Sequence, residues 1–479
     1  MHYFHSNKTN DFCGFNLSLL RYKIPAVVYF LLKPFTNIFL RIFYRIQVKG
    51  LDILDQDMPL AILPNHVNAF IDPVVVGMLP KRKIRFFARG DIFKGKLAKW
   101  FFESMNISPM FRLSEGYSEL KKNDRAFDEC RLLLSQKKAI LLFPEGICVQ
   151  TKRIEKLKKG TARILLGVEE SANFHDDIRI VPVGLNYSRP TVFRSRLFVN
   201  IGPAIPVSGF KKRYAEDKVK AINEFTQFIE NELTKQVIVV KDPGNDELYE
   251  GIAEIYVKQW MQEEGLNTNN QEAEHSKNLI VARMINHNQM KSPLSNESMK
   301  LVILPYLAAL KTLKLRDHLL RKDALVKMSI KSILNDFFIL WFGLPVYWIG
   351  LLLNFPPYYI SQKVAKEKAL KIEFYASVHA NLGMILWVIY YLVQLVFITS
   401  LFHNWILTGV WALLTPITGY FCLHFYAVSK KIFGRWRLLG LVKKNRSEAE
   451  RLILEREEIV QMIRSEILLA NVQDEDAIG

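Results

Sequence analysis

His66 and Asp72 are a pair whose types and spacing could move a proton. They lie in the stretch LAILPNHVNAFIDP, residues 60–73 of a 479-residue chain. An apolar run stops at Pro64, and the His follows at once in a loop. Imidazole titrates near neutrality and can take a proton from a hydroxyl. It works best when a carboxylate holds its other ring nitrogen, fixing the tautomer and stabilising the imidazolium. Asp72 can reach that nitrogen if the turn folds back. Its plainer role is to cap a helix, with Pro73 in the first turn.

Further groups fall beyond other short apolar runs. NISPMFRLSEG places Arg112 after one of them, and Arg holds a phosphate bidentately better than any other side chain. LLFPEGICV places Glu145 and Gly146 directly after a strand. Gly lets the backbone approach a ligand, and the carboxylate can accept hydrogen bonds from polyol hydroxyls. LKKGTARI sets Lys158 and Lys159 before a helix, where a helix N-terminus favours an anion. IRIVPVGLNY carries Pro182 at a strand end, as a pocket wall rather than a reactive group. Each has a bland alternative: a surface Arg, a turn with an incidental Glu, a solvated basic turn.

These groups need a frame. Between 58 and 211 the runs LAILP, KIRFFAR, AILLFP, IRIVPVGLNY and LFVNIG read as buried strands. Helical patterns at 91–105, 115–136 and 155–170 separate them. That alternation predicts an α/β domain with a mixed, largely parallel sheet flanked by helices. Ligands of such sheets sit beyond the carboxyl ends of the strands.

Residues 1–57 are expected to end in an interfacial membrane-binding segment, because 24–48 is apolar and aromatic but studded with Lys33, Arg41 and Arg45. The first 22 residues lack the cleavage pattern of a secretory signal. Residues 212–335 read as a helical accessory region with an exposed linker at 262–277. Residues 336–430 read as membrane segments: 337–353 re-entrant or interfacial, and 382–401 and 405–426 a transmembrane hairpin. Lysines and arginines flank the hairpin on both sides, which places those flanks in the cytoplasm. Residues 431–479 read as a cytoplasmic amphipathic tail opening with the capping box Ser447–Glu450.

The net charge of +18 suits anionic partners. No RNP or helix-turn-helix pattern is present and the C-terminal third is apolar, so membrane lipids are the expected partner and nucleic acid is not. The basic, aromatic run 80–100 suits lipid headgroups, ahead of an acidic carrier protein or plain solvent. Four scattered cysteines and ten scattered histidines form no disulfide framework or metal site. Ser118–Lys121 matches Ser-x-x-Lys, but within a charged helical pattern.

In order, Asn65-His66 to Asp72, then Arg112, then Phe143-Pro144-Glu145-Gly146, then Val181-Pro182-Val183 resemble the four blocks of the glycerolipid acyltransferase superfamily. The likeness covers roughly 50–210. Five residues separate His66 from Asp72 where the family usually has four, and Ile147-Cys148-Val149 replaces the usual Thr-Arg-Ser. The resemblance implies a membrane-bound O-acyltransferase with a glycerolphosphate acyltransferase-like fold. It would move a fatty acyl group from acyl-CoA or acyl carrier protein to glycerol-3-phosphate or 1-acylglycerol-3-phosphate. His66 and Asp72 would be catalytic. Arg112, Glu145, Gly146, Lys159 and Pro182 would bind substrate, with no metal or resident cofactor. The alternative is a membrane-anchored lipid-binding or scaffold protein with a degenerate domain.

Overall fold

The computed structural model describes residues 33–93, 95–110, 123–321 and 330–475. Its centre is a mixed, largely parallel sheet. The strands are β1 (Arg45–Lys49), β2 (Leu60–Pro64), β3 (Ile84–Arg89), β4 (Ile107–Met110), β5 (Ala139–Leu141), β6 (Arg179–Tyr187), β7 (Arg196–Ile201) and β8 (Ile205–Pro206). They are ordered β1-β7-β6-β2-β5-β3-β4, with β8 on β6. β6, β2, β5, β3 and β4 are mutually parallel, whereas β7 and β8 run antiparallel to β6.

β2 is buried at all five positions, which is why it reads as an unbroken apolar run. Its two faces enter different cores. Leu60 and Ile62 pack with Phe43 and Tyr44, at and just past the end of the helix α1 (33–43), and with Val75 of α2 (Ile71–Met78). Ala61 and Leu63 pack with Leu134 of α3 (Asn123–Ser135) and Leu165 of α4 (Gly160–Ser171). Phe225 and Ile229 of α5 (Lys218–Thr234) belong to that second core. The sheet domain therefore extends through Thr234 and does not end at 211.

A second correction lies at the other end. Arg45–Lys49, expected to close the interfacial segment, is the edge strand β1, parallel to β7. Ile46 and Val48 alternate toward the first core, and Gln47 on the opposite side accepts from the Gln271 N–H at 2.8 Å. The interfacial expectation for 24–32 lies outside the described residues.

The accessory helices α6 (Asp246–Ile252), α7 (Gln271–Lys291) and α8 (Pro293–Thr312) share one apolar core. Asn270 caps α7, so the polar linker ends there and not at 277. The tail forms a helix, but not a free-standing one. As α12 (Arg446–Glu475) it inserts Leu452, Ile459 and Ile463 into the same core. Asn445, not Ser447, accepts at its N-terminus, from the Glu448 N–H at 3.2 Å. Arg456 is buried beside Asp317 in a bidentate pair.

Three described helices are long and apolar enough to cross a membrane. They are α9 (Ile330–Lys368), α10 (Ile372–Phe402) and α11 (Trp405–Lys444). α10 and α11 form a hairpin with its tip at His403–Asn404 and Thr399 bonded to Thr408. α9 is longer than 337–353, because the helix continues through Pro345, Pro356 and Pro357. Its Asn354 meets both partners: it donates to the Thr415 carbonyl and accepts from Trp387. From there toward its N-terminus α9 follows α11 away from the tip. Gly350 lies against Cys422, where a Cβ would come within 2.6 Å of the sulfur, and Asp336 pairs with Arg435. Toward its C-terminus α9 follows α10, also away from the tip, with the Tyr358 ring 5.1 Å from His379. Both ends of α9 thus lie beside the parts of α10 and α11 remote from the tip, with Asn354 nearer to it and Pro356-Pro357 just beyond.

Candidate active site

The C-terminal ends of β2 and β5 deliver two loops that clasp each other. His66 donates its backbone N–H to Glu145 Oε1 at 2.8 Å, and its carbonyl accepts from the Val149 N–H at 3.1 Å. The Ala69 N–H reaches Cys148 Sγ at 3.0 Å, and Gln150 donates to the Asn68 side chain at 2.9 Å. Asn65 braces the first loop from behind, exchanging hydrogen bonds with the N–H and carbonyl of Leu185 on β6. A β-turn closes the second loop. The Gly146 N–H returns to the Phe143 carbonyl at 3.1 Å, with Gly146 at φ +67°, a conformation that excludes most side chains.

Within this clasp His66 Nδ1 lies 2.9 Å from Asp72 Oδ2. The same oxygen accepts the Val67 and Asn68 N–H groups, each at 2.7 Å. Oδ1 accepts the Tyr187 hydroxyl at 2.7 Å. Asp72 is fully buried and ringed by donors, so Nδ1 must bring the hydrogen to their contact. Nε2 is then the free lone pair. The ring stacks on Phe143 with centroids 4.0 Å apart and keeps 16 % of its side-chain surface open. A fixed tautomer with one open nitrogen is the arrangement a general base needs. His66 and Asp72 therefore meet as their spacing predicts.

Tyr187 is a member of the site that sequence reasoning alone does not find. It ends β6, beyond Pro182 on the same strand. Burial and the charge of Asp72 push its hydroxyl well above the ordinary tyrosine range, so it stays a donor. The one signal is position: a polar-tipped aromatic at the carboxyl end of a central strand. Tyr187→Phe removes one of the donors to Asp72. It is expected to cost about 1 kcal/mol of stability, seen as a lower thermal midpoint. Turnover should fall less than for loss of Asp72 itself.

Glu145 does not face a substrate. Its second oxygen accepts the Glu155 N–H at 3.1 Å, and the residue is 3 % exposed. Its place is to hold the two loops together, which corrects its assignment to a polyol. Burial pushes its carboxyl up from 4.5 to about 7. Because the folded value is raised, the associated stability is full below pH 4.5 and is lost as pH rises through 7. The stability of the wild type relative to Glu145→Gln should therefore decline by about 3 kcal/mol between those limits. Thermal midpoints of both proteins across that range give the measurement; parallel curves would refute the buried charge.

Pro182 is also placed differently. It is buried in β6 opposite Leu63 and accepts from the Gly202 N–H, inside the sheet and away from any wall. Lys159 is the exposed N-cap of α4. Lys158 is nearer: its N–H donates to the Pro144 carbonyl, and its Cγ lies 3.1 Å from where a Cβ on Gly146 would stand. Arg112 lies outside the described residues. Of the basic run 80–100, Arg82 is committed to the carbonyls of Gln56, Met58 and Lys137, while Lys81, Lys83 and Trp100 are exposed.

Ligand atoms of His66, Asp72 and Cys148 lie within 4.8 Å of one another, a spacing a cation could use. The donor set does not fit one. Both Asp72 oxygens already accept hydrogen bonds, and burial beside Asp72 pushes the Cys148 thiol up and keeps it protonated.

Residues 45–186 match the family model described as Acyltransferase. A 246-residue stretch is 25 % identical to glycerol-3-phosphate O-acyltransferase 1 of Saccharomyces cerevisiae, covering 49 % of this chain and 31 % of that protein. A 133-residue stretch is 26 % identical to the chloroplastic 1-acyl-sn-glycerol-3-phosphate acyltransferase LPAT1 of Arabidopsis thaliana, covering 28 % of this chain and 35 % of that protein. The matches span about a third of the length of each relative. Among solved structures, the 1-acyl-sn-glycerophosphate acyltransferase PlsC of Thermotoga maritima aligns at a TM-score of 0.31. Identity there is 19 %, over 44 % of this chain and 82 % of that one.

Proposed function

We propose that residues 45–186, which match the family model described as Acyltransferase, form an acyltransferase domain of the glycerolipid kind, and that this protein acylates a hydroxyl of glycerol-3-phosphate or 1-acylglycerol-3-phosphate. The acyl donor is a thioester of coenzyme A or acyl carrier protein. His66 Nε2 removes the acceptor's hydroxyl proton. The oxygen attacks the thioester carbonyl carbon, the C–S bond breaks, and His66 returns the proton to the departing thiolate. Asp72 holds the ring and balances the imidazolium charge. Arg112, Lys158 and Lys159 supply the cations for the acceptor phosphate.

The observation that carries this reading is the His66–Asp72 contact, with both oxygens of that carboxylate also occupied by other donors. The two curated relatives are named for these two acceptors. The basic flanks of the α10–α11 hairpin favour a catalytic domain on the cytoplasmic face of a membrane. Purified full-length protein in detergent, given a labelled acyl thioester and each acceptor separately, is the test. Labelled lysophosphatidate or phosphatidate is the expected product. Thioester hydrolysis without an acylated acceptor would overturn the reading.

A further inference from the structure

We propose that the first two turns of the membrane helix α10 are a built part of the catalytic site, with Ser377 positioning the loop that carries His66 and Asp72. The inference rests on the acyl-transfer reading above and concerns what holds its base in place. α2, whose first turn contains Asp72, has no side-chain cap: its N-cap is Phe70, whose side chain can accept nothing. Helix starts leave backbone N–H groups without partners, and buried ones must find an acceptor. The Ile71 and Asp72 N–H groups return to the Asn68 carbonyl. The Phe70 N–H crosses to α10 and donates to Ser377 Oγ at 3.1 Å, a residue 307 positions later in the chain. Ser377 is 2 % exposed, so water does not compete for that contact.

A second tie lies beside it. Gln150 donates to the Asn68 side chain at 2.9 Å and to the Ile372 carbonyl at 3.4 Å. It joins both catalytic loops to the first residue of α10. Packing fixes the same face: the Phe70 ring meets Phe374 edge-on at 6.1 Å, and Ala376 and Ala380 are buried in the core that contains β2. The 65–72 loop is therefore held by the 143–150 loop on one side and by α10 on the other. A general base works only when its nitrogen stands within hydrogen-bond reach of the reacting hydroxyl, and a misplacement of about 1 Å can cost about 100-fold. Seating of α10 thereby becomes a condition for turnover, beyond holding the enzyme at a bilayer.

The test uses the full-length protein in detergent and in vesicles. Ser377→Ala should lower kcat about tenfold and leave the acceptor KM within about twofold. Ser377→Thr, which keeps the hydroxyl, should restore kcat. Amide exchange at Phe70 should accelerate in the Ala variant. Wild-type turnover of Ser377→Ala overturns the proposal while the acyl-transfer reading stands. If the wild type acylates no acceptor, that reading fails, and unchanged exchange at Phe70 would then overturn the clamp as well. Should Ser377→Ala not fold, Gln150→Ala tests the second tie, with a selective fall in kcat expected and unchanged kcat decisive against it.

Discussion

His66→Ala is expected to lower kcat by about 100- to 10,000-fold while leaving the protein folded. The ring's contacts with Asp72 and Phe143 are lost, so the thermal midpoint should fall, but Asp72 keeps its three other donors. The backbone N–H and carbonyl of His66 hold the clasp to Glu145 and Val149, and those bonds survive the substitution. What disappears from the mechanism is Nε2, the ring nitrogen left free when Nδ1 is held by Asp72. Labelled-acyl transfer measures the loss, and the thermal midpoint confirms the fold. Turnover within about tenfold of wild type would remove His66 from the mechanism.

Asp72→Asn should have a comparable effect on kcat for a different reason. The carboxylate accepts from four donors at once. An amide has one oxygen and one NH2, so one end of the substituted side chain would oppose a donor. Either two backbone N–H groups and the imidazole lose their acceptor, or Tyr187 does. A tautomer switch at His66, with the hydrogen moved to Nε2, relieves part of the first conflict and destroys the base. A fall of about 10,000-fold is the scale seen when a histidine base loses its tautomer this way. Stability should also fall, by about 1–3 kcal/mol for each buried donor left unpaired. A thermal melt beside the activity assay separates the two. Full activity with a depressed midpoint would reduce Asp72 to a loop brace.

The legible parts of the sequence are those where chemistry and local backbone coincide. LAILP followed by Asn65 and His66 reads correctly because a fully buried strand leaves a continuous apolar signal. The His66–Asp72 contact reads correctly because only one short turn lies between them. Glu145 misleads, since a carboxylate after a strand looks the same whether it faces a ligand or two backbone N–H groups. β1 escapes notice because its alternation, Ile46 and Val48, is brief and follows a dense aromatic stretch. Tyr187 and Ser377 reach the site from 115 and 307 residues away, and nothing local records such a meeting. The tail helix reads as amphipathic, but its apolar stripe does not say which partner covers it; that partner is the core shared with α7 and α8.

The course of α9 has a consequence for how the hairpin enters a bilayer. Both its ends lie beside the parts of α10 and α11 remote from the hairpin's tip, where Ser377 meets the sheet domain and Leu438 the accessory core. When the hairpin is embedded, the deepest turn holds His403 and Asn404, and neither carries a fixed charge. Among the described residues, insertion of the hairpin then requires only the passage of a tight polar knuckle. Such a molecule can be seated from the side on which it is made. An impermeant reagent supplied from the opposite compartment would, among the described residues, meet that knuckle.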